Sequence, residues 1–193
     1  MTEEGYGRTS QSLIEQIIKE LPIVLRYEPN KCNLILVFDD LDCRTPELQE
    51  NRILDAISTI PECADINKLV VFAAPELEAW IIADWNNSIA RHPDFRGRHE
   101  RMRYWLSQEK NISFNEPESF SDYDEDKDCC QEKLSEALVD SSVLAEFDSL
   151  STRYSKRLHT PVLLQDIRPD EVQRRCPLFR KFYNYLNHFC SSS

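Results

Sequence analysis

The stretch Asn33–Asp42 reads NLILVFDDLD. It opens with an apolar run, Leu34 to Phe38, and passes at once into Asp39, Asp40 and Asp42. A short run of branched residues that ends in polar ones reads as a strand buried on both faces of a parallel sheet. Ligands of open α/β sheets bind beyond the carboxyl ends of the strands, so carboxylates at that edge point to a chemical role. Mg²⁺ takes hard oxygen ligands and is usually held by one or two carboxylates together with phosphate. In an extended chain Asp40 and Asp42 point to one side and can share an ion, while Asp39 faces the other way. The plainer reading of the same residues is a strand end followed by a turn.

Outward from this strand the pattern alternates. Before it, Thr9 or Ser10 caps a helix to about Leu21, with Leu13, Ile14, Ile17, Ile18 and Leu21 on one face. Pro22 and Glu28-Pro29-Asn30 then interrupt the pattern. After it, Thr45 caps a second helix, Pro46 takes the first position, and Leu48, Ile53, Leu54, Ile57 and Ile60 form its buried stripe. A second apolar strand runs from Lys68 to Ala74. Strand, helix and strand over this distance predict a βαβ unit with parallel, neighbouring strands. The next stretch, PELEAWIIAD, predicts a helix starting at Pro75 and leaving the edge that bears the aspartates. Glu76 and Glu78 fall in its first turn, where the helix dipole favours acids. Trp80, Ile81 and Ile82 read as core rather than as a base-stacking platform.

Bulk properties exclude several classes. The 193 residues suffice for one domain with a real core. Three glycines, with neither a Walker motif nor GxGxxG, argue against a glycine-rich phosphate cradle. No apolar run approaches membrane-spanning length, and the opening residues do not read as a signal peptide. Seven cysteines without CxxC spacing predict reduced thiols and a cytoplasmic setting. The net charge of −11 argues against non-specific nucleic-acid binding by the chain as a whole. The charge is uneven, however. Residues 113–150 carry 12 acidic against 2 basic side chains, and residues 152–181 carry 8 basic against 3 acidic.

The second half offers weaker signals. Arg91, Arg96, Arg98, Arg101 and Arg103 are interleaved with Phe95, Tyr104 and Trp105. Such a set can grip a single nucleic-acid strand, or form the solvated face of an ordinary helix. Ser113–Asp128 is acidic and turn-rich, and predicts a flexible loop. Helices resume over Gln131–Leu150, and Pro169 starts a last helix, amphipathic through Val172, Phe179, Phe182 and Leu186. The expected organisation is an α/β core over 1–110, an acidic flexible loop over 111–130, and a helical part over 131–193 that packs on the same domain.

Taken in order, Asp40-Leu41-Asp42, the ExEAW of Glu76–Trp80 followed by Ala83-Asp84, Tyr154 with Lys156, and Cys176-Pro177-Leu178-Phe179-Arg180 resemble a Toprim-like bacterial family close to the RloB group. The resemblance spans roughly Asn33 to Leu186. It implies a small parallel sheet flanked by helices, with a helical C-terminal extension and a Mg²⁺- or Mn²⁺-dependent phosphodiester site at the sheet edge. In that picture Asp40 and Asp42 hold the metal. Glu4, Glu76 and Glu78 are the catalytic candidates, and Lys156, Arg174, Arg175 and Arg180 hold phosphate, a task suited to the planar guanidinium fork. It also implies nucleic acid as substrate, DNA or RNA, an ATPase partner subunit in anti-phage defence, and no membrane; a homo-oligomer is compatible with it. Glu4-Gly5 matches the family's glutamate-glycine pair, but only Met1, Thr2 and Glu3 precede it where an apolar strand is expected. Either the chain as given starts late, or the site is degenerate, or the match is chance. The expectation is therefore a metal-dependent nuclease, with an inactive Toprim module acting as a regulatory or interaction subunit of an ATPase complex as the alternative.

Overall fold

The structure is a computed structural model and describes residues 12–27, 32–144 and 152–192. It is a mixed α/β protein with a small parallel sheet flanked by helices. By contacts the chain divides into two compact units: residues 1–38 with 45–70, and residues 39–44 with 71–193.

The first unit holds α1 (Leu13–Tyr27), most of strand β1 (Leu34–Asp40), α2 (Pro46–Ser58) and the start of β2 (Asn67–Ala73). Thr9 and Ser10 lie outside the described residues. The cap observed is Ser12, whose hydroxyl accepts the Glu15 N–H (3.3 Å) while the Glu15 carboxylate accepts the Ser12 N–H (2.8 Å). This reciprocal pair satisfies two amide groups that the helix itself leaves open. Contrary to expectation, α1 does not stop at Leu21 but runs through Pro22. The apolar repeat continues from Leu21 to Leu25, which is buried, so packing carries the helix one turn past the proline. Helix α2 starts as expected, with Thr45 extended and Pro46 in the first turn. It packs on α1 and buries Ile53, Ala56 and Ile57, whereas Leu48 is exposed and not part of that stripe.

β1 and β2 are neighbours and parallel, as the sequence predicts. Their burial differs from expectation. In β1, Ile35 and Val37 are buried but Leu36 and Phe38 are exposed, so only one face is covered. β2 is the doubly buried strand, with Leu69 to Ala73 all buried. Pairing continues past the end of β1: the Leu41 N–H donates to the Ala73 carbonyl (2.8 Å) and the Asp42 N–H to the Pro75 carbonyl (3.0 Å).

The second unit is organised around α3 (Glu78–Ala83), all six residues of which are buried. A helix buried on every side belongs in the middle of a core, not on a surface. It is packed by α5 (Leu134–Leu144), α6 (Lys156–Asp166), α7 (Pro169–Arg175) and the 3₁₀ turn Pro117–Ser119. Pro75 does not start α3, as the sequence suggested; it follows Ala74 in a cis peptide, and the helix begins three residues later. Trp80 is core, edge-on to Phe179 (ring centroids 4.7 Å apart) and stacked on Phe182. The outer helix α4 (His99–Glu109) packs on α5 and buries Met102 and Leu106.

Two further expectations are corrected. The helix placed after Pro169 is two helices, α7 and α8 (Pro177–Ser192), because Cys176 is extended (φ −121°, ψ 95°). A residue before proline is pushed out of the helical region, which accounts for the break. The thiols are not all reduced: Cys43 and Cys130 form a disulfide, while Cys32, Cys63, Cys129, Cys176 and Cys190 are free. Cys130 lies in a short hairpin, β3 (Tyr123–Asp124) with β4 (Cys129–Cys130), inside the acidic segment. The predicted helix over 131–150 is seen as α5, and residues 145–150 lie outside the described ones.

Candidate functional site

Asp40, the last residue of β1, is followed within the second unit by Glu76 on the loop after β2 and Glu78 at the start of α3. Lys156 opens α6. Its ammonium lies 3.4 Å from Asp40 Oδ2, 3.2 Å from Glu76 Oε1 and 3.4 Å from Glu78 Oε2. A cation at a helix N-terminus is opposed by the helix dipole, so the carboxylates compensate for an otherwise poor position.

The acids are held by different groups. Asp40 Oδ1 accepts the Leu77 N–H (3.1 Å). Glu76 accepts two hydrogen bonds from Ser135, one from its amide (2.9 Å) and one from its hydroxyl (3.1 Å). Glu78 Oε1 accepts from the Thr160 hydroxyl (2.8 Å) and the Tyr154 hydroxyl (3.3 Å), which also touch each other at 2.7 Å. Glu78 is 0% exposed and Glu76 3%. Glu78 Oε2 is buried and accepts no hydrogen bond; the Lys156 ammonium faces it. A buried carboxylate oxygen in that state is costly unless a cation is near.

Burial pushes the Asp40 carboxyl up to about 6; Glu78 and Glu76 push the same way and Lys156 opposes them. For Lys156, burial acts to lower the pKa, but Glu78, Asp40 and Glu76 together hold it above the ordinary lysine range. Burial, then Glu78, raises the Tyr154 phenol. A titratable cluster with a shifted carboxyl on a strand edge is a candidate site on physical grounds. Below it, His159 supports the start of α6: its Nδ1 accepts the Ser155 N–H (2.7 Å), which puts the proton on Nε2, 3.4 Å from Asp94.

Other predicted residues go elsewhere. Asp42 is not in the extended geometry that would set it beside Asp40. The strand ends at Asp40, and Asp42 has φ 50°. It pairs with Arg44 (3.3 Å), which also pairs with Asp128 (3.1 Å). Asp39 sits with that group: burial raises its carboxyl, and Asp42 and Arg44 act on it. Arg174 pairs with Glu171 (2.8 Å), Arg175 donates to the Ala83 carbonyl, and Arg180 donates to the carbonyls of Gln173 and Arg174. Arg180 thus ties α8 to α7, Arg175 ties α7 to α3, and the Arg174 pair lies within α7. Glu4 lies outside the described residues. Ser135 and Thr160, which no spacing rule singles out, were missed by sequence reasoning.

Among the described residues no group of three or more His, Cys, Asp or Glu side chains is arranged as a metal site. The three carboxylates do offer the hard oxygen donors that a divalent cation takes, and one has a buried oxygen that no hydrogen bond satisfies. Asp40, Glu76 and Glu78 would hold such an ion.

Fold and site define an α/β protein in which a strand edge, a loop and a buried helix start aim carboxylates at one lysine. Residues 8–187 match the family described as Domain of unknown function (DUF4276), and the chain belongs to that family. No curated protein and no solved structure matches it. No helix among the described residues is long and apolar enough to cross a membrane.

Proposed function

We propose that this protein is a Mg²⁺- or Mn²⁺-dependent nuclease of the Toprim type. The observation that carries the reading is the meeting of Asp40, Glu76 and Glu78 at one point beyond the end of β1, with Lys156 among them. A bound ion would neutralise charge on the scissile phosphate and lower the pKa of an attacking water. Ser135, Thr160 and Tyr154 fix the two glutamates, so the acidic oxygens are in place before any ligand arrives. Lys156 supplies a cation for the phosphate. The resemblance seen in the sequence extends the proposal to anti-phage defence with an ATPase partner.

A second reading is favoured by the same lysine. Its ammonium already partners all the carboxylates, as it would in a purely structural ion-pair network. The protein would then be an inactive Toprim module that regulates an ATPase. Cleavage assays on DNA and RNA with Mg²⁺ or Mn²⁺, with and without the partner ATPase, separate the two. The nuclease reading expects metal-dependent cleavage that Asp40→Asn abolishes and Asp39→Asn retains. Absence of cleavage under every one of these conditions leaves the regulatory module.

A further inference from the structure

We infer that Lys156 is a built-in counter-ion that competes with the divalent cation for Asp40, Glu76 and Glu78, so that metal entry and lysine release are one event. The inference rests on the metal-dependent reading above and gives that site its regulation.

The geometry separates fixed parts from a movable one. Glu76 is held twice by Ser135, and Glu78 by Thr160 and Tyr154. Both glutamates are buried. Lys156 is different. Its side chain is 45% exposed, a lysine stem is flexible, and it meets the three carboxylates through its ammonium. Each contact is 3.2–3.4 Å, longer than the usual charge-assisted bond of about 2.7–2.9 Å. One positive charge shared loosely among three acids leaves them under-neutralised, and Glu78 Oε2 lacks a hydrogen bond. A divalent ion brings twice the charge to the same oxygens. The displaced ammonium stays tethered at the start of α6, beside the site, where an anionic phosphate is its natural next partner. Without metal, the lysine keeps the acids from repelling one another.

The test uses the full-length, metal-stripped protein. Mn²⁺ binding is measured by calorimetry for wild type and Lys156→Met, together with melting temperature with and without Mn²⁺. Removing the competitor should tighten Mn²⁺ binding roughly tenfold or more, given the attraction of an ammonium to carboxylates at this range. The variant should melt lower than wild type without metal and recover with Mn²⁺. A second measurement needs no variant: Mg²⁺ should increase amine labelling of Lys156 in the wild-type protein, read by mass spectrometry. If wild type binds Mn²⁺ but Lys156→Met binds it no tighter, or if labelling does not rise, the counter-ion inference is overturned while the metal reading stands. If neither protein binds Mn²⁺, the metal reading fails and takes this inference with it.

Discussion

Thr160→Val probes the support of the most deeply buried acid. The Thr160 hydroxyl donates to Glu78 Oε1 at 2.8 Å, and Glu78 has no exposed surface. Valine keeps the shape and removes the donor. A hydrogen bond to a charged group is worth about 1.5–3 kcal/mol. The Tyr154 hydroxyl, already 3.3 Å from the same oxygen, offers partial replacement. The expected loss is therefore about 2 kcal/mol, toward the lower part of that range. For a chain of this size that lowers the melting temperature by about 4–8 °C. Tyr154→Phe should cost less, since its hydroxyl is closer to Thr160 (2.7 Å) than to Glu78. Urea denaturation at pH 7.5 in metal-free buffer measures each variant. A double-mutant cycle with Glu78→Gln isolates the charge: in that background Thr160→Val should cost only about 1 kcal/mol, the value of a neutral bond. A cost under about 0.5 kcal/mol in the wild-type background would refute the argument, because surface-like substitutions behave that way.

Asp40→Asn should change the pH dependence of stability. The folded carboxyl titrates near 6 against an ordinary 3.8, so the folded state binds its proton more tightly than the unfolded state does. The stabilisation from that proton is full below about pH 4 and is lost as the pH rises through 6. The metal-free variant should thus match wild type at pH 4 and be more stable at pH 7.5; thermal melts across that range show it, and a variant less stable at pH 7.5 would contradict it. Cys130→Ser opens a bridge between residues 87 apart. It should destabilise the non-reduced protein by about 2–4 kcal/mol, with little further loss on adding dithiothreitol. An unchanged urea midpoint would count against that bridge.

Much of the fold was legible because its signals are local. Apolar runs marked both strands, the first ending in aspartates, and Thr45-Pro46 marked the start of α2. What escaped was set by tertiary context. Leu36 and Phe38 read as buried because an apolar run does not say how many of its faces are covered. Pro22 read as a stop, yet Leu25 found a buried place beyond it. Asp42 was paired with Asp40 on the assumption of extended backbone, and the chain turns at Asp42 instead. The cysteine pair was invisible because residues 43 and 130 have no motif spacing and meet only through the fold. Asp40, Glu76, Glu78 and Lys156 were all named from the sequence, but in different roles. Only the structure brings Lys156 into the midst of the acids, and only the structure reveals Ser135 and Thr160 behind them.

Anomalous diffraction from crystals soaked in Mn²⁺ tests the central claim most directly. The account predicts a manganese peak coordinated by oxygens of Asp40, Glu76 and Glu78, with the Lys156 ammonium moved out of the position it holds between them. Lys156 still in place among the three carboxylates, with no manganese there at saturating concentration, would contradict it.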